Sequence, residues 1–270
     1  MDRFKDKVVL VSGGSRGVGF ATARELAQQG ARIAITARGK DRLEDAKNKL
    51  LEMGAEAICI VGDVGKWQDA ERMVRESVDQ FGRIDILINN AGVSMRGRFA
   101  DLSPEVCAQV AQTNLMGSIY LSRAAVPHLL ETRGSMVFVS SIAGIFGVPG
   151  ASIYCATKKA LTGLAESLRT ELLPQGVHIG VAYLGFTEHD PEKRIMAEDG
   201  SLVLPDRPAH HTQSFAARRI IRMIAKRKRM AVLTKAGVLG YLAYRSSPAL
   251  LERAIIKAES SQIGIYKRFS

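Results

Sequence analysis

Tyr154 and Lys158 are four residues apart in a segment with helical periodicity. Side chains at that spacing lie on one face of a helix, so the phenol and the ammonium project into the same space. A nearby ammonium favours the phenolate and lowers a tyrosine pKa from about 10, which suits the phenol to exchange a proton with a carbonyl or carbinol oxygen. The pair predicts acid-base chemistry, although many helices carry this spacing by chance. Ser141, at the end of a predicted strand, adds a hydroxyl where open α/β sheets bind ligands.

A glycine-rich loop, SGGSRGVG at residues 12–19, follows the first predicted strand. Glycines let backbone N–H groups approach a pyrophosphate closely, and the helix that follows presents its positive end to the anion. The spacing is not G-x-G-x-x-G, so the glycines alone also fit an ordinary strand-to-helix turn. Their position between strand and helix favours a nucleotide site formed by Gly13, Ser15, Arg16, Gly17, Val18 and Gly19.

The end of the second predicted strand indicates which dinucleotide is bound. An acidic residue there would accept a hydrogen bond from the ribose 2′-hydroxyl of NAD, but the sequence is Thr36-Ala37-Arg38. Arg38 together with Arg16 of the glycine loop suits a 2′-phosphate, because guanidinium groups form charge-assisted bonds with phosphate oxygens. NADP(H) is therefore the expected cofactor. The alternative is that Arg38 is a solvated residue at a strand end.

Short β-branched runs alternate with longer helical patterns over the first 185 residues or so. Strands are predicted at Lys7–Ser12, Ala31–Thr36, Glu56–Val61, Ile84–Ile88, Ser135–Ser140 and Val177–Tyr183, with a seventh at Met230–Thr234. Helices are predicted at Gly17–Gln29, Asp41–Glu52, Trp67–Phe81, Pro104–Glu131 and Ser152–Leu173. Parallel neighbours need crossover helices. The order therefore predicts a doubly wound α/β Rossmann fold with a mostly or wholly parallel sheet of six to seven strands.

The composition is that of an ordinary globular chain, with 270 residues, 46% hydrophobic and 24% charged. No linker divides it, so one domain over residues 1–270 is expected, with a cofactor-binding and catalytic core at 5–190. The three cysteines have no metal-like spacing, and no metal is expected. The N-terminus resembles neither a signal nor a transit peptide, and no apolar run reaches membrane-spanning length, so a cytoplasmic location is expected.

The net charge of +11 belongs to the last quarter of the chain, since residues 201–270 hold fourteen Lys and Arg against three acidic residues. Ser214–Arg229 is predicted to form a basic amphipathic helix, and an apolar stretch, Met230–Tyr244, follows. Together they favour either packing within an oligomer or peripheral contact with an anionic membrane. Nucleic acid is not an expected partner, because the basic run has neither interleaved aromatic residues nor a recognition motif.

Several motifs together resemble the short-chain dehydrogenase/reductase family over about residues 5–190. The loop at 12–19 resembles its TGxxxGxG motif, with serine in place of threonine. The remaining matches are an adenine-side contact at Asp63 and Val64, the NNAG segment with Asn90, Ala91 and Gly92, and an active-site tetrad of Asn114, Ser141, Tyr154 and Lys158.

The resemblance implies reduction of a carbonyl by NADPH, or the reverse, with Tyr154 as general acid or base. Lys158 would hold the nicotinamide ribose, Ser141 would bond the carbonyl oxygen, and Asn114 would position a water that links Lys158 to solvent. Asn114 as a helix cap and Ser141 as a loop cap remain alternatives. The resemblance also implies a homodimer or homotetramer formed through the long helices.

The sequence departs from the family pattern after the sixth strand, where Leu184 replaces a proline and His189 replaces a threonine. Gly185 and Thr187 are still expected to approach the nicotinamide. This departure leaves open an NADP-binding regulatory protein without turnover. The polar segment at residues 186–212 is expected to be a substrate lid, and 213–270 a basic C-terminal elaboration. An apolar mouth, and hence an apolar carbonyl substrate such as a lipid ketone, is expected from Met95, Phe146, Val148 and Pro149.

Overall fold

The computed structural model describes residues 3–188, 190, 192–205 and 211–260. Its strands are β1 (Val8–Ser12), β2 (Arg32–Ala37), β3 (Ala57–Val61), β4 (Ile86–Asn89), β5 (Ser135–Ser141), β6 (His178–Leu184), β7 (Ile195–Met196), β8 (Leu202–Val203) and β9 (Met230–Val232). Its helices are α1 (Gly17–Ala27), α2 (Lys40–Glu52), α3 (Trp67–Phe81), α4 (Pro104–Ala111), α5 (Gly117–Thr132), α6 (Ser152–Leu172), α7 (Gln213–Ala225), α8 (Lys235–Ser246) and α9 (Pro248–Ser260).

The central sheet has seven parallel strands in the order β3-β2-β1-β4-β5-β6-β9. The chain moves outward from β1 through β2 to β3, and then returns to place β4 on the other side of β1. A crevice forms at such a reversal, outside the carboxyl ends of the strands, and open α/β sheets bind ligands there. The predicted doubly wound α/β fold and its seventh strand are confirmed.

Both faces of the sheet are covered, which explains the continuous apolar character of the strands. All five residues of β1 are buried, as are the four of β4. One core cluster joins the sheet to α1, α2 and α7, and another joins it to α3, α5 and α6. The layered packing fixes the carboxyl ends of β1, β4, β5 and β6 relative to one another, and several of the predicted site residues follow these ends.

The long helix predicted over Pro104–Glu131 is not continuous. A π-helical turn at Gln112–Met116 separates α4 from α5. Apolar periodicity continues through this turn, so the sequence pattern alone does not show it. Asn114 lies within the turn, and such bulges are frequent at functional sites.

The predicted basic amphipathic helix is found as α7, and its apolar face packs against the body of the protein. The apolar face of α7, which includes Ile220 and Ile224, is buried against α1. The basic face points outward, and Arg218 pairs with Glu25 of α1 at 3.1 Å. The apolar side of the predicted basic helix is therefore part of the core.

Exposed apolar side chains are found instead on α8 and α9. Leu239 on α8 is 70% exposed and Ile256 on α9 is 66% exposed. The inner side of α8 packs on the body, where Gly240 lies against Phe146 and Tyr244 accepts from Lys159 Nζ at 2.8 Å. Within the described ranges, no helix is both long and apolar enough to cross a membrane.

Candidate active site

A cavity of about 520 Å³ lies at the carboxyl edge of the sheet, over the reversal between β1 and β4. It holds nearly all of the residues predicted from the sequence. Its lining includes Gly13, Ser15, Arg16, Gly17, Val18, Arg38, Asp63, Val64, Asn90, Ala91, Gly92, Ser141, Tyr154, Lys158, Gly185 and Thr187. Gly19 and Asn114 lie behind this wall and support it.

The glycine loop is built for close backbone approach. Gly13 has a φ of +65° and Gly17 a φ of +61°, conformations that favour glycine. A β-carbon on Gly19 would lie 2.3 Å from the carbonyl oxygen of Gly13, and one on Gly14 would lie 2.6 Å from Ile35. Glycine is therefore also required at position 14. The motif does not reveal this requirement, because it comes from packing against β2 and not from contact with a ligand.

Ser12 fastens the glycine loop to the segment that follows β4. Its Oγ accepts from the backbone N–H groups of Asn90 at 3.0 Å and Ala91 at 3.1 Å. Asn90 Nδ2 in turn donates to the carbonyl oxygens of Ser12 and Gly13, at 3.0 and 3.2 Å. The loop is thus held rigidly without a ligand. Serine at this position supplies the hydroxyl that the family's threonine would supply.

The wall at the end of β2 carries cations and an unsatisfied hydroxyl. Arg38 Nη1 is 3.9 Å from Asp63 Oδ2, and the Asp63 Oδ1 accepts from the Gly65 N–H at 2.9 Å. Thr36 is fully buried and lines the cavity, and its Oγ1 has no hydrogen-bond partner among the described residues. Buried hydroxyls normally have a partner, so this unpaired atom is a feature of the cavity wall that the hydrogen bonds of the described residues do not explain.

Tyr154 and Lys158 lie on the first two turns of α6 and both line the cavity. Lys158 Nζ is 5.8 Å from the centre of the Tyr154 ring, and it donates to the carbonyl oxygen of Val139 at 2.9 Å. Burial lowers the pKa of Lys158 to about 8, and the positive charge of Lys193 acts in the same direction. The phenol and the amine share one space, as the spacing predicts.

Ser141 ends β5 and lines the same cavity. Its Oγ accepts from the N–H of Ala143 at 3.2 Å and so caps a short 3-10 turn. Because that contact uses an oxygen lone pair, the hydroxyl proton remains available for a second bond. The capping role and a substrate-binding role are therefore compatible.

Asn114 holds two segments of the site together from a fully buried position. Its Oδ1 accepts from the N–H of Val93 at 2.7 Å, and its Nδ2 donates to the Val93 carbonyl oxygen at 2.9 Å and to Thr157 Oγ1 at 3.3 Å. The amide thus connects the strand segment after β4 with α6. It is not the helix cap that the sequence left open, since it lies inside the π-helical turn.

The segment after β6 contains a close backbone contact. A β-carbon on Gly185 would lie 2.6 Å from Thr234 Cγ2, so the contact with the C-terminal segment by itself requires glycine here. Thr187 is 7% exposed and its Oγ1 donates to the Gly185 carbonyl oxygen at 3.2 Å. His189, which replaces the family's threonine, lies outside the described residues.

The expected apolar mouth is only partly present. Val148 lines the cavity, whereas Met95 is fully buried and bridges Met196, and Phe146 faces α8. Other cavity residues near this end are cationic: Arg96, Lys193 and Arg194. The segment that is expected to be a lid contains β7 and β8, which form an antiparallel hairpin, and the Arg96 N–H donates to its Met196 carbonyl oxygen at 2.8 Å.

The segment at residues 186–212 also contacts the cavity wall beside the end of β2. The carboxylate of Glu192 pairs with the guanidinium of Arg42, and its carbonyl oxygen accepts from Arg16 Nη1 at 3.4 Å. Motif matching singled out neither Glu192 nor Arg42. Arg42 carries no clear sequence signal, since it lies on α2 whereas Arg38 precedes that helix.

Comparison with known proteins identifies the family. Residues 7–200 match the model of the short chain dehydrogenase family, and the chain belongs to that family. A protein named 11-beta-hydroxysteroid dehydrogenase-like 4A from Arabidopsis thaliana is 36% identical over 208 residues, which cover 75% of this chain and 69% of the relative. The 3-ketodihydrosphingosine reductase of Bos taurus is 36% identical over 217 residues, which cover 74% of this chain and 65% of that enzyme.

Solved structures agree. The crystal structure of an NAD+-bound xylitol dehydrogenase has a TM-score of 0.68 and 30% identity, and the match covers 70% of this chain and 73% of that one. The chain is therefore a member of an oxidoreductase family that binds a nicotinamide cofactor, and the family resemblance of the sequence is confirmed.

Proposed function

We propose that this protein is an NADPH-dependent oxidoreductase that reduces a small-molecule ketone or aldehyde to an alcohol, or catalyses the reverse reaction. The observation that carries the proposal is the shared position of Tyr154 and Lys158, whose Nζ is 5.8 Å from the tyrosine ring, in the cavity beside the glycine loop. This arrangement supports proton exchange and nucleotide binding within one crevice.

The residues present fit a dinucleotide. Gly13 and Gly17 line the cavity with φ values of +65° and +61°, and a β-carbon on Gly13 would lie 2.9 Å from Ala91 Cα, so the loop leaves room for a close ligand only because these residues are glycines. The glycine loop would hold the pyrophosphate, Asp63 and Val64 the adenine, and Asn90 to Gly92, Gly185 and Thr187 the nicotinamide half. When bound, the nicotinamide supplies or accepts the hydride.

The side chains of the site have separate roles in proton transfer and in positioning. Tyr154 protonates the substrate oxygen during reduction, so negative charge does not accumulate there. Ser141 donates its free proton to the same oxygen, and Lys158 as an ammonium favours the phenolate and binds ribose hydroxyls. Asn114 positions α6 against the segment after β4, and a water linked to Lys158 would reach solvent beside it.

NADPH is favoured over NADH by the charge at the end of β2. Arg16 and Arg38 line the cavity there, and no acidic side chain takes the place that follows β2. Guanidinium groups only donate hydrogen bonds, so they suit phosphate oxygens better than a ribose hydroxyl that itself needs an acceptor.

Turnover by Tyr154→Phe tests the proposal. With a substrate found in a panel of ketones and aldehydes, the variant is expected to lose at least about a hundredfold in kcat, because positioned acid catalysis contributes that much. Tyr120→Phe, which changes a phenol on α5 outside the cavity, is the matched control. Unchanged turnover in Tyr154→Phe would refute the assigned acid, while tight NADPH binding without any turnover would favour the regulatory alternative.

A lipid carbonyl substrate presented at a membrane surface is a second candidate. It is favoured by the exposed Leu239, Leu242, Leu250 and Ile256 on α8 and α9, beside the basic residues Lys235, Arg245, Arg253 and Lys257. Apolar side chains among cations suit anionic lipid headgroups. Co-sedimentation with phosphatidylglycerol-containing vesicles but not with neutral ones is expected. Loss of this binding in Leu239→Ser with Leu242→Ser would assign it to α8.

The proposal also covers the domain organisation, the location and the oligomeric state of the chain. The chain forms one domain with a cytoplasmic or membrane-peripheral location, and it assembles as a homodimer or homotetramer through α5 and α6. Sedimentation equilibrium measures that assembly directly. A monomer at micromolar concentration would contradict it.

A further inference from the structure

Three arginines from separate segments converge beside the end of β2. Arg16 comes from the glycine loop, Arg38 directly follows β2, and Arg42 lies in the first turn of α2. All three line the cavity. Arg16 and Arg38 are those that the sequence assigns to the cofactor, and Arg42 extends the group by one guanidinium.

The lid places a carboxylate among these cations. The Glu192 carboxylate contacts Arg42, while its carbonyl oxygen accepts from Arg16. The Glu192 N–H donates to Asp190 Oδ1 at 2.8 Å, so the turn that presents the glutamate is itself hydrogen-bonded. A carboxylate and a phosphate offer an arginine the same kind of charged acceptor oxygen.

The ion pairs of Arg38 and Arg42 differ in how easily a ligand can displace the acidic partner. Arg38 faces Asp63, which the Gly65 N–H also holds. The partner of Arg42 belongs to the lid, and the Glu192 side chain is 67% exposed. Exposed ion pairs contribute little to stability, so an incoming dianion can displace this carboxylate readily.

We propose that Arg42 is a specificity-determining residue for the cofactor's 2′-phosphate, and that Glu192 is the counter-ion which this phosphate displaces. The inference rests on the proposed function, in which the cofactor is NADPH. A phosphate dianion exceeds a carboxylate in charge and in acceptor oxygens. The 2′-hydroxyl of NADH carries no charge, so NADH leaves the pair between Arg42 and Glu192 in place.

Isothermal titration calorimetry of the full chain with NADPH and with NADH tests this, independently of turnover. Arg42→Gln is expected to lower the ratio of NADPH to NADH affinity about tenfold, the effect of losing one charge-assisted hydrogen bond. Glu192→Gln is expected to tighten NADPH binding about two- to fivefold, with less effect on NADH. In the double variant the effect of Glu192→Gln is expected to vanish, because its partner is gone.

Matched controls remove equivalent charges elsewhere. Arg219→Gln removes an exposed guanidinium on α7, and Glu52→Gln removes an exposed carboxylate about 15 Å along α2 from Arg42. Neither is expected to change the affinity ratio. If loss of charge anywhere on the protein changed the ratio of NADPH to NADH affinity, these control variants would change it as well.

Two outcomes overturn the inference in distinguishable ways. If the wild-type chain prefers NADPH and Arg42→Gln weakens both dinucleotides equally, Arg42 only holds the lid, and the proposed function stands. If the wild-type chain binds NADPH no better than NADH, the cofactor choice and the role of Arg42 are both wrong.

Discussion

Replacing Lys158 by methionine is expected to abolish turnover and also to change how stability depends on pH. In the folded chain the ammonium is buried, and its pKa falls from 10.5 to about 8. The unfolded chain therefore binds more protons between these two values, so the stability of the wild type rises with pH across that window. Methionine is similar in length and carries no proton, so the variant lacks this contribution.

The size of the effect follows from the two pKa values. Each pKa unit corresponds to about 1.36 kcal/mol, so keeping the buried amine charged near neutral pH costs roughly 3 kcal/mol. Between pH 7.5 and pH 10 the wild type is expected to gain about 2 kcal/mol relative to Lys158→Met. Near neutral pH the variant is expected to be more stable than the wild type, because it no longer keeps a charged amine buried. Loss of the hydrogen bond to the Val139 carbonyl oxygen reduces this gain in stability by about 1 kcal/mol.

Urea unfolding of the cofactor-free proteins at several pH values measures the difference. Other groups whose pKa changes on folding, such as the Cys155 thiol, whose pKa is raised by burial, occur in both proteins and cancel. Lys159→Met removes an exposed ammonium from the next position and controls for the loss of charge. A difference between wild type and Lys158→Met that stays constant from pH 7.5 to pH 10 would refute the reasoning, because burial would then not depress the pKa.

Two further predictions concern the scaffold of the site. Gly19→Ala places a β-carbon 2.3 Å from the Gly13 carbonyl oxygen, so a loss of roughly 1 to 3 kcal/mol in stability and weaker NADPH binding are expected; thermal unfolding and calorimetry measure these, and a wild-type melting temperature would contradict the contact. Burial lowers the pKa of His178, so the unfolded chain takes up protons first as the pH falls through about 6.5 and stability is lost there. His178→Gln is expected to lose less stability than the wild type between pH 7 and pH 5 in urea unfolding, and equal losses would count against a buried neutral imidazole.

Much of the fold could be predicted because its signals are local. Each strand of the parallel sheet is a short apolar run, and helices separate them, so the order of elements implies the sheet. The first and last residues of the elements were predicted less accurately, since the strand predicted at Ile84–Ile88 is found at Ile86–Asn89. The π-helical turn around Asn114 was missed, since it shifts the helix phase without leaving a gap in the apolar pattern.

The candidate site was predictable where a motif has a fixed place on an element. Tyr154, Lys158 and Ser141 are brought together because the ends of β5 and α6 meet at one sheet edge. Contacts between distant segments were not predictable. The pairing of Arg42 with Glu192 depends on the path of the lid, and no periodic pattern specifies that path.

The contact between Gly185 and Thr234 limits how the chain can be engineered. The family match ends at residue 200, which invites chimeras that exchange everything after it. Thr234 lies in that exchanged portion, yet its methyl group would be 2.6 Å from a β-carbon on Gly185. A transplanted tail must therefore bring a residue no larger than threonine to this position, or it will displace the segment after β6 from the cavity wall.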